Sequence, residues 1–322
     1  MMKLRSSVAL AAVFAMAVSL PACSKKDVPV AGGPAKVVLA LDWVPEPEFG
    51  GFYAAREGGA FKKQGLDVEI RGGGAGVPVV QMVATGQVQF GIAGADEVLT
   101  ARARGADVIP VFATFQTSPQ AIMTPASRST TTLKDVLATG TLALEPGLPY
   151  AAYLKKKYGF GAKVVPYDGG VARFLVEKDY AQQCFVTSEP LLVRKKGMEP
   201  RVFLVADEGF NPYTAVVITS RAVLRDHPDW VKGFVAASRE GWTGYLADPG
   251  PANAVMGKLN ASMDAETFAA AAAAQKPLTE SDATKASGIG AMTKERWETL
   301  GKQLVELKII EKAPAVADFW VN

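Results

Sequence analysis

The chain has one histidine, His227, and two cysteines, Cys23 and Cys184. A single histidine excludes any site built on two, which removes most His-rich zinc and non-haem iron centres. Cys184 falls in the strand-like run QQCFV and reads as a buried core thiol. Neither the G-x-S-x-G elbow of serine hydrolases nor the H-E-x-x-H of metalloproteases occurs, so catalysis finds little footing. The net charge is only +3 and evenly spread, which leaves no basic patch for nucleic acid. The longest apolar run, residues 8–20, is 13 residues, where a membrane span needs roughly 20. There is no internal repeat at the period of a solenoid or propeller.

That short run fits an export signal instead. Lys3 and Arg5 form a basic start ahead of it, the pattern of a signal peptide. It ends in Leu20-Pro21-Ala22-Cys23, which resembles the bacterial lipobox, with Pro21 an uncommon choice at its position. Residues 1–22 are therefore expected to be a lipoprotein signal, with Cys23 the lipidated residue. Residues 23–35, polar and rich in Pro and Gly, read as a flexible tether. The expected location is the periplasmic side of the cell envelope, anchored by lipid. If Cys23 is acylated, no disulfide can form within the chain and the fold must rest on its core.

About 288 residues remain, enough for one large domain or two lobes. Apolar content of 49% and charged content of 21% suit an ordinary globular chain. Short β-branched runs at 37–41, 66–70, 88–93 and 108–112 read as strands, with amphipathic segments 51–64, 77–85 and 96–104 between them. Such alternation predicts a mostly parallel sheet with helices on both faces. The pattern restarts with strands at 121–124, 141–144, 163–166, 183–186 and 202–205, helices at 133–138, 150–158, 171–177 and 189–196, and one more strand at 215–219. From His227 the chain reads as helical. Pro228 suits a first turn, and Val231, Phe234, Val235, Ser238, Trp242, Tyr245 and Leu246 make one stripe. Residues 248–251 stop that helix, and 268–274 and 294–307 read as two more. The expected architecture is α/β, with two Rossmann-like lobes and a helical C-terminal tail. One lobe is 36–118 plus 216–322, the other 119–215, and the chain crosses near 118–121 and 213–215. Ligands then sit between the lobes, at the carboxyl ends of the strands.

Asp42 and Trp43 fall just past the first strand, in a loop stiffened by Pro45 and Pro47. There they suit a flat heteroaromatic ligand, the indole stacking on the ring and the carboxylate accepting its N–H donors. They suit equally a Trp that covers the core and an Asp that caps a helix. Phe52, later in the same segment, is counted with the site. Asp96 and Glu97 follow Gly91-Ile92-Ala93-Gly94-Ala95, whose small residues admit close approach of a ligand; as acids at a helix start they also answer its macrodipole. The Gly-rich stretch 72–76 lacks the Lys-Ser/Thr of a P-loop and reads as a mobile loop. Phe115, Gln116 and Ser118 stand at the first crossing and Tyr213 at the second. Glu145 and Tyr150 follow one second-lobe strand, Thr187 and Glu189 another, and Tyr150 or Tyr213 would oppose the Trp43 ring. These loops carry Asp42, Glu46, Glu48, Asp96, Glu97, Glu145 and Glu189 and no Lys or Arg. The expected cleft is negative, unfavourable to nitrate, sulfonates and phosphates and favourable to neutral or cationic hydrogen-bond donors. His227 reads as a surface residue. No catalytic residue, metal site or cofactor is expected.

The stretch LDWVPEPEFGGFYAAREGGAFKKQGLDVEI resembles the opening of the thiamine-pyrimidine-precursor-binding proteins of ABC importers, within a wider superfamily of nitrate, sulfonate and taurine binders. The resemblance continues through VQMVATGQVQFGIAGADEVLTARARGADV, FATFQTSPQAIM, QQCFVTSEPLLVRKKG and DEGFNPYTAVVITS, over roughly residues 37–245. It implies a type II periplasmic-binding fold that closes on its ligand and hands it to a permease with its ATPase, acting as a monomer. It further implies ring stacking by Trp43, with Asp42, Asp96 and Glu97, then Phe115, Gln116, Ser118 and Pro119, at matching positions; Glu189 matches more loosely. A yeast enzyme of the same superfamily makes the pyrimidine from its own histidine and bound pyridoxal phosphate, using iron. It carries a cysteine-rich motif and an essential histidine. QQCFVTSE has one cysteine and no histidine near it, a departure that argues against synthase activity. A riboflavin-binding branch shares the LDW opening, so the motif does not separate the two ligands.

Overall fold

Burial follows the chain's own periodicities. The structure, a computed structural model, describes residues 33–320. The expected signal, Cys23 and nearly all of the tether lie outside the described residues. Strand β1 (Ala35–Ala40) begins at the tether's expected last residue. β2 (Leu66–Arg71) alternates buried and exposed along LDVEIR, the mark of a strand covered on one face. β3 (Phe90–Ala93), by contrast, is buried throughout, as a strand covered on both faces must be. The first lobe adds α1 (Gly50–Glu57), α2 (Ala60–Lys63), α3 (Val79–Ala84), α4 (Ala95–Ala103) and β4 (Val108–Phe115). The expected single helix over 51–64 is two, because Gly58 and Gly59 intervene and Gly59 takes φ +74°, which a helix cannot contain.

The second lobe runs through β5 (Gln120–Pro125), α5 (Leu133–Ala138), β6 (Thr141–Leu144), α6 (Pro149–Tyr158), β7 (Lys163–Pro166), α7 (Ala172–Val176), β8 (Tyr180–Phe185), α8 (Glu189–Lys195) and β9 (Pro200–Leu204). The chain then returns through β10 (Thr214–Ser220) to α9 (Arg221–Asp226), α10 (Pro228–Ala247), α11 (Gly250–Leu259), α12 (Ala265–Thr279), α13 (Asp282–Ser287) and α14 (Lys294–Glu306). No described helix is long and apolar enough to cross a membrane.

Strand order is β2-β1-β3-β10-β4 in one sheet and β7-β6-β8-β5-β9 in the other. Both are mixed but mostly parallel, as expected, with one strand in each running against the other four: β10 lies antiparallel to β3 and β4, and β5 antiparallel to β8 and β9. These are the two strands that follow a crossing. A strand entering its sheet where the parallel strands end has to run the other way.

Side-chain hydrogen bonds tie the two crossings to each other. The Asn211 side chain accepts from Ser118 N–H at 2.8 Å and donates to Gln116 O at 3.4 Å, and Thr214 Oγ1 donates to Ser118 Oγ at 3.1 Å. The first-lobe core packs α1 on α10 with Phe52, Phe90, Phe112, Phe234 and Trp242 fully buried. Val235 and Leu246 of the expected α10 stripe are only half-buried at its edge.

Candidate functional site

The parallel strands β1 and β3 of one sheet, and β6 and β8 of the other, end around a cavity of about 790 Å³. The sequence continuing from each strand supplies its wall. Asp42 follows β1; Asp96 and Glu97 open α4 after β3; Glu145 and Tyr150 follow β6; Glu189 opens α8 after β8. Ser118 and Thr214 line it at the crossings. The first loop is clamped from behind. Asn260 Nδ2 donates to Pro45 O at 3.2 Å and Gln275 Nε2 to Pro47 O at 2.9 Å. The Gly-rich stretch packs on the same loop. A Cβ on Gly73 would stand 2.0 Å from Leu41 O, and Gly73 N–H donates to Trp43 O at 2.9 Å. The glycine there allows two loops to touch.

Burial among acidic neighbours sets the electrostatics. Asp42 is pushed up to about 7 by desolvation and by Glu97, and its Oδ1 finds no partner among the described residues. Glu46 is pushed up to about 7 by desolvation and by Glu189 across the cleft, although the Trp43 and Asn260 side chains donate to it. Asp96 rises to about 6, by desolvation and then Glu97. Glu48 is raised well above the usual carboxylate range by burial, then by Asp42, Glu46 and Glu189. Glu189 is also raised by burial, against hydrogen bonds from Tyr167 O–H at 2.6 Å and Phe185 N–H at 2.9 Å. Glu97 is half committed: it accepts from Gly94 N–H at 3.1 Å and so caps α4. Among the described residues no three acidic, His or Cys side chains converge to hold a metal ion.

Several expected site residues lie elsewhere. Phe52 is fully buried against Phe112 and Trp242, in the lobe's core. Phe115 is likewise core, facing inward from the end of β4. Gln116 spends its amide on Ala291 O at 2.9 Å. Tyr213 is buried against Trp297 under Arg296, and its O–H accepts from Thr293 N–H. Thr187 is buried behind the wall. Trp43 is 44% exposed on the loop that carries Asp42, but it does not line the cavity. Only Tyr150 of the two proposed opposing rings reaches the cavity. The wall also has one cation that the loop inventory missed, Arg104, just past the end of α4.

Gln120, Gln183, Cys184, Phe185 and Phe210 line the cavity as well. Strand β8 starts three residues earlier than the sequence suggested, at Tyr180. Its β-branched content is low, so the periodicity placed the strand's start too late; Gln183 lay inside the expected strand all the same, and an argument confined to loops passed over it.

A sequence model of the NMT1/THI5-like family matches residues 46–252. The riboflavin-binding protein RibY of Chloroflexus aurantiacus is 28% identical over 66% of this chain, an alignment that spans 63% of RibY. A formylaminopyrimidine-binding protein of Halalkalibacterium halodurans is 22% identical over 66% of this chain and 67% of its own length. Among solved structures, the periplasmic aliphatic sulphonate binding protein SsuA of Escherichia coli superposes with a TM-score of 0.71 at 14% identity, covering 90% of this chain and 93% of SsuA. The desulfurization enzyme DSZB shares the fold at TM-score 0.59 and 12% identity, covering 88% and 96%. The fold is thus the two-lobed α/β fold of periplasmic binding proteins, and that fold also hosts an enzyme.

Proposed function

The chain belongs to the NMT1/THI5-like family, and from that premise we propose that it is the solute-binding lipoprotein of an ABC importer. Its ligand on this reading is a thiamine pyrimidine precursor, formylaminopyrimidine or hydroxymethylpyrimidine. The carboxylates around the cavity carry the reading. An aminopyrimidine brings an exocyclic NH2, from which a carboxylate accepts, and a basic ring nitrogen, to which a carboxyl that keeps its proton can donate; raised carboxyls such as Asp42 and Asp96 can serve either. Trp43 stacks on the ring, and closure of the two lobes buries it; the ligand favours the closed state through contacts to both. The relative named for formylaminopyrimidine supports this choice.

Riboflavin is the second reading. RibY is the more similar of the two relatives, and a cavity of about 790 Å³ leaves room for three fused rings. Against it, an isoalloxazine offers one ring N–H and several carbonyl acceptors to a wall rich in acceptors. We read the site as binding rather than catalytic. His227 is exposed and stacked on Trp230 at the start of α10, and burial pushes the Cys184 thiol well up, away from the nucleophilic thiolate. The anchor is Cys23, the location the periplasmic side of the envelope, and the partners a permease and its ATPase.

A thermal-shift panel tests this reading. Hydroxymethylpyrimidine, formylaminopyrimidine and riboflavin are set against thiamine, taurine and nitrate. A specific ligand near 100 times its Kd stabilises by about 2.7 kcal/mol. The expected shift is with a pyrimidine precursor; a shift with taurine or nitrate alone would overturn the charge argument. Fatty-acid labelling that disappears in Cys23→Ser checks the anchor.

A further inference from the structure

Gln183 stands on β8, one of the parallel strands that end at the cavity, and it is 8% exposed. Its Oε1 is held twice, by Glu145 N–H at 2.6 Å and Tyr150 O–H at 3.0 Å. A backbone N–H can only donate, so the amide oxygen has to face Glu145 and the side chain cannot be flipped. Tyr150 fixes it a second time from the start of α6. The nitrogen is then turned away from both, and no described residue accepts from Nε2. The surrounding wall is made of acceptors: Asp42, Asp96, Glu145 and Glu189 all line the same cavity. A rigid, uncommitted N–H donor among carboxylates has one chemical use there.

We propose that Gln183 is a specificity-determining residue that reads a hydrogen-bond acceptor on the ligand, a ring imine nitrogen or a carbonyl oxygen, while Tyr150 positions it. The cavity then takes heterocycles with both an N–H donor edge and an acceptor, and rejects flat rings that lack the acceptor. This rests on the reading of the cavity as a heterocycle site. A buried polar group left unpaired is what gives such discrimination its size.

Gln183→Glu is the diagnostic variant. It keeps an oxygen for Glu145 N–H and Tyr150 O–H and, when ionised, replaces the outward donor by a charged acceptor. Calorimetric titration of hydroxymethylpyrimidine and riboflavin into wild type and variant at about pH 8.5, where the new carboxyl is ionised, is expected to show about tenfold weaker binding or more. The deficit relative to wild type should narrow as pH falls, because a protonated carboxyl regains a donor. Affinity that is unchanged or tightened in the variant overturns the inference and leaves the functional reading standing. Binding of neither ring to wild type overturns both. Should the variant fail to fold, the wild-type side-chain amide decides: the Gln183 NH2 resonances shift and slow in solvent exchange on ligand addition, and resonances that stay put overturn the proposal.

Discussion

Asp42 stands at the end of β1 with one carboxylate oxygen buried and unpartnered among the described residues. Its raised value, about 7 against 3.8, means the folded ligand-free protein holds a proton there that the unfolded chain releases. For a carboxyl raised in this way, its stabilising effect is fully present below about pH 4 and is lost as pH rises through about 7. Glu46 and Asp96 act in the same direction through about 7 and about 6. Asp42→Asn should therefore match wild type near pH 4 and exceed it by about 2 kcal/mol above pH 8, once neighbouring carboxyls share the relief. Urea midpoints of the ligand-free proteins across that range check this; parallel pH slopes in the two would show that Asp42 is not charged at cost. A binding site less stable than it could be is the usual consequence of keeping acceptors unpaired for a ligand.

At the scale of elements, the contact of α1 with α10 is set by glycine. A Cβ on Gly241 would lie 2.2 Å from Gly51 O and 2.5 Å from the Ala55 Cβ, while one on Gly244, in the same helix, meets nothing within 4 Å. Helix propensity favours alanine at both by up to about 1 kcal/mol. At Gly241 the obstacle is backbone that cannot rotate aside, and overpacking of about 1–3 kcal/mol wins. Gly241→Ala should lower the denaturation midpoint and Gly244→Ala raise it slightly; two equal effects would mean the helices are not in close contact. Such contacts were invisible in the sequence, where Gly241 is one small residue beside an apolar stripe. Periodicity did find the elements it is sensitive to: β6, β7 and α5 have the expected bounds because their ends coincide with turns. It could not show that β5 and β10 run antiparallel, since pairing direction leaves no mark on a strand's own alternation. The same limit shaped the site. Acids after strand ends were legible as a class, Asp42, Asp96, Glu145 and Glu189 among them. Phe52, Phe115 and Tyr213 looked alike in sequence and point inward, and Gln183 sits inside a strand, where no loop argument reaches.

Across the whole molecule, protons and ligand compete for the same oxygens. Glu46 comes from one lobe and Glu189 from the other, and each raises the charge cost felt by Glu48. Bringing the lobes together without a ligand concentrates that charge. Lys195 of α8 bridges to Asp264 and Glu266 at the start of α12, but these groups are exposed, and such solvent-screened pairs contribute little. On the proposed reading, closure is driven by whatever satisfies the carboxylates, either protons or the ligand's N–H donors. A donor-bearing ring that needs them ionised must displace protons held by groups near 6 to 7. Its affinity should fall as pH drops, by about tenfold over two pH units if one proton is displaced. The slope is opposite to that of the ligand-free protein's stability, which these same groups raise on acidification. Riboflavin keeps one charge state through this window, so its titration isolates the protein's protons. Calorimetry in two buffers of different ionisation enthalpy should report net proton release near pH 6.5. Proton uptake, or affinity that ignores pH, would place the ligand's donors away from Asp42 and Glu46 and leave the negative cavity serving something other than recognition.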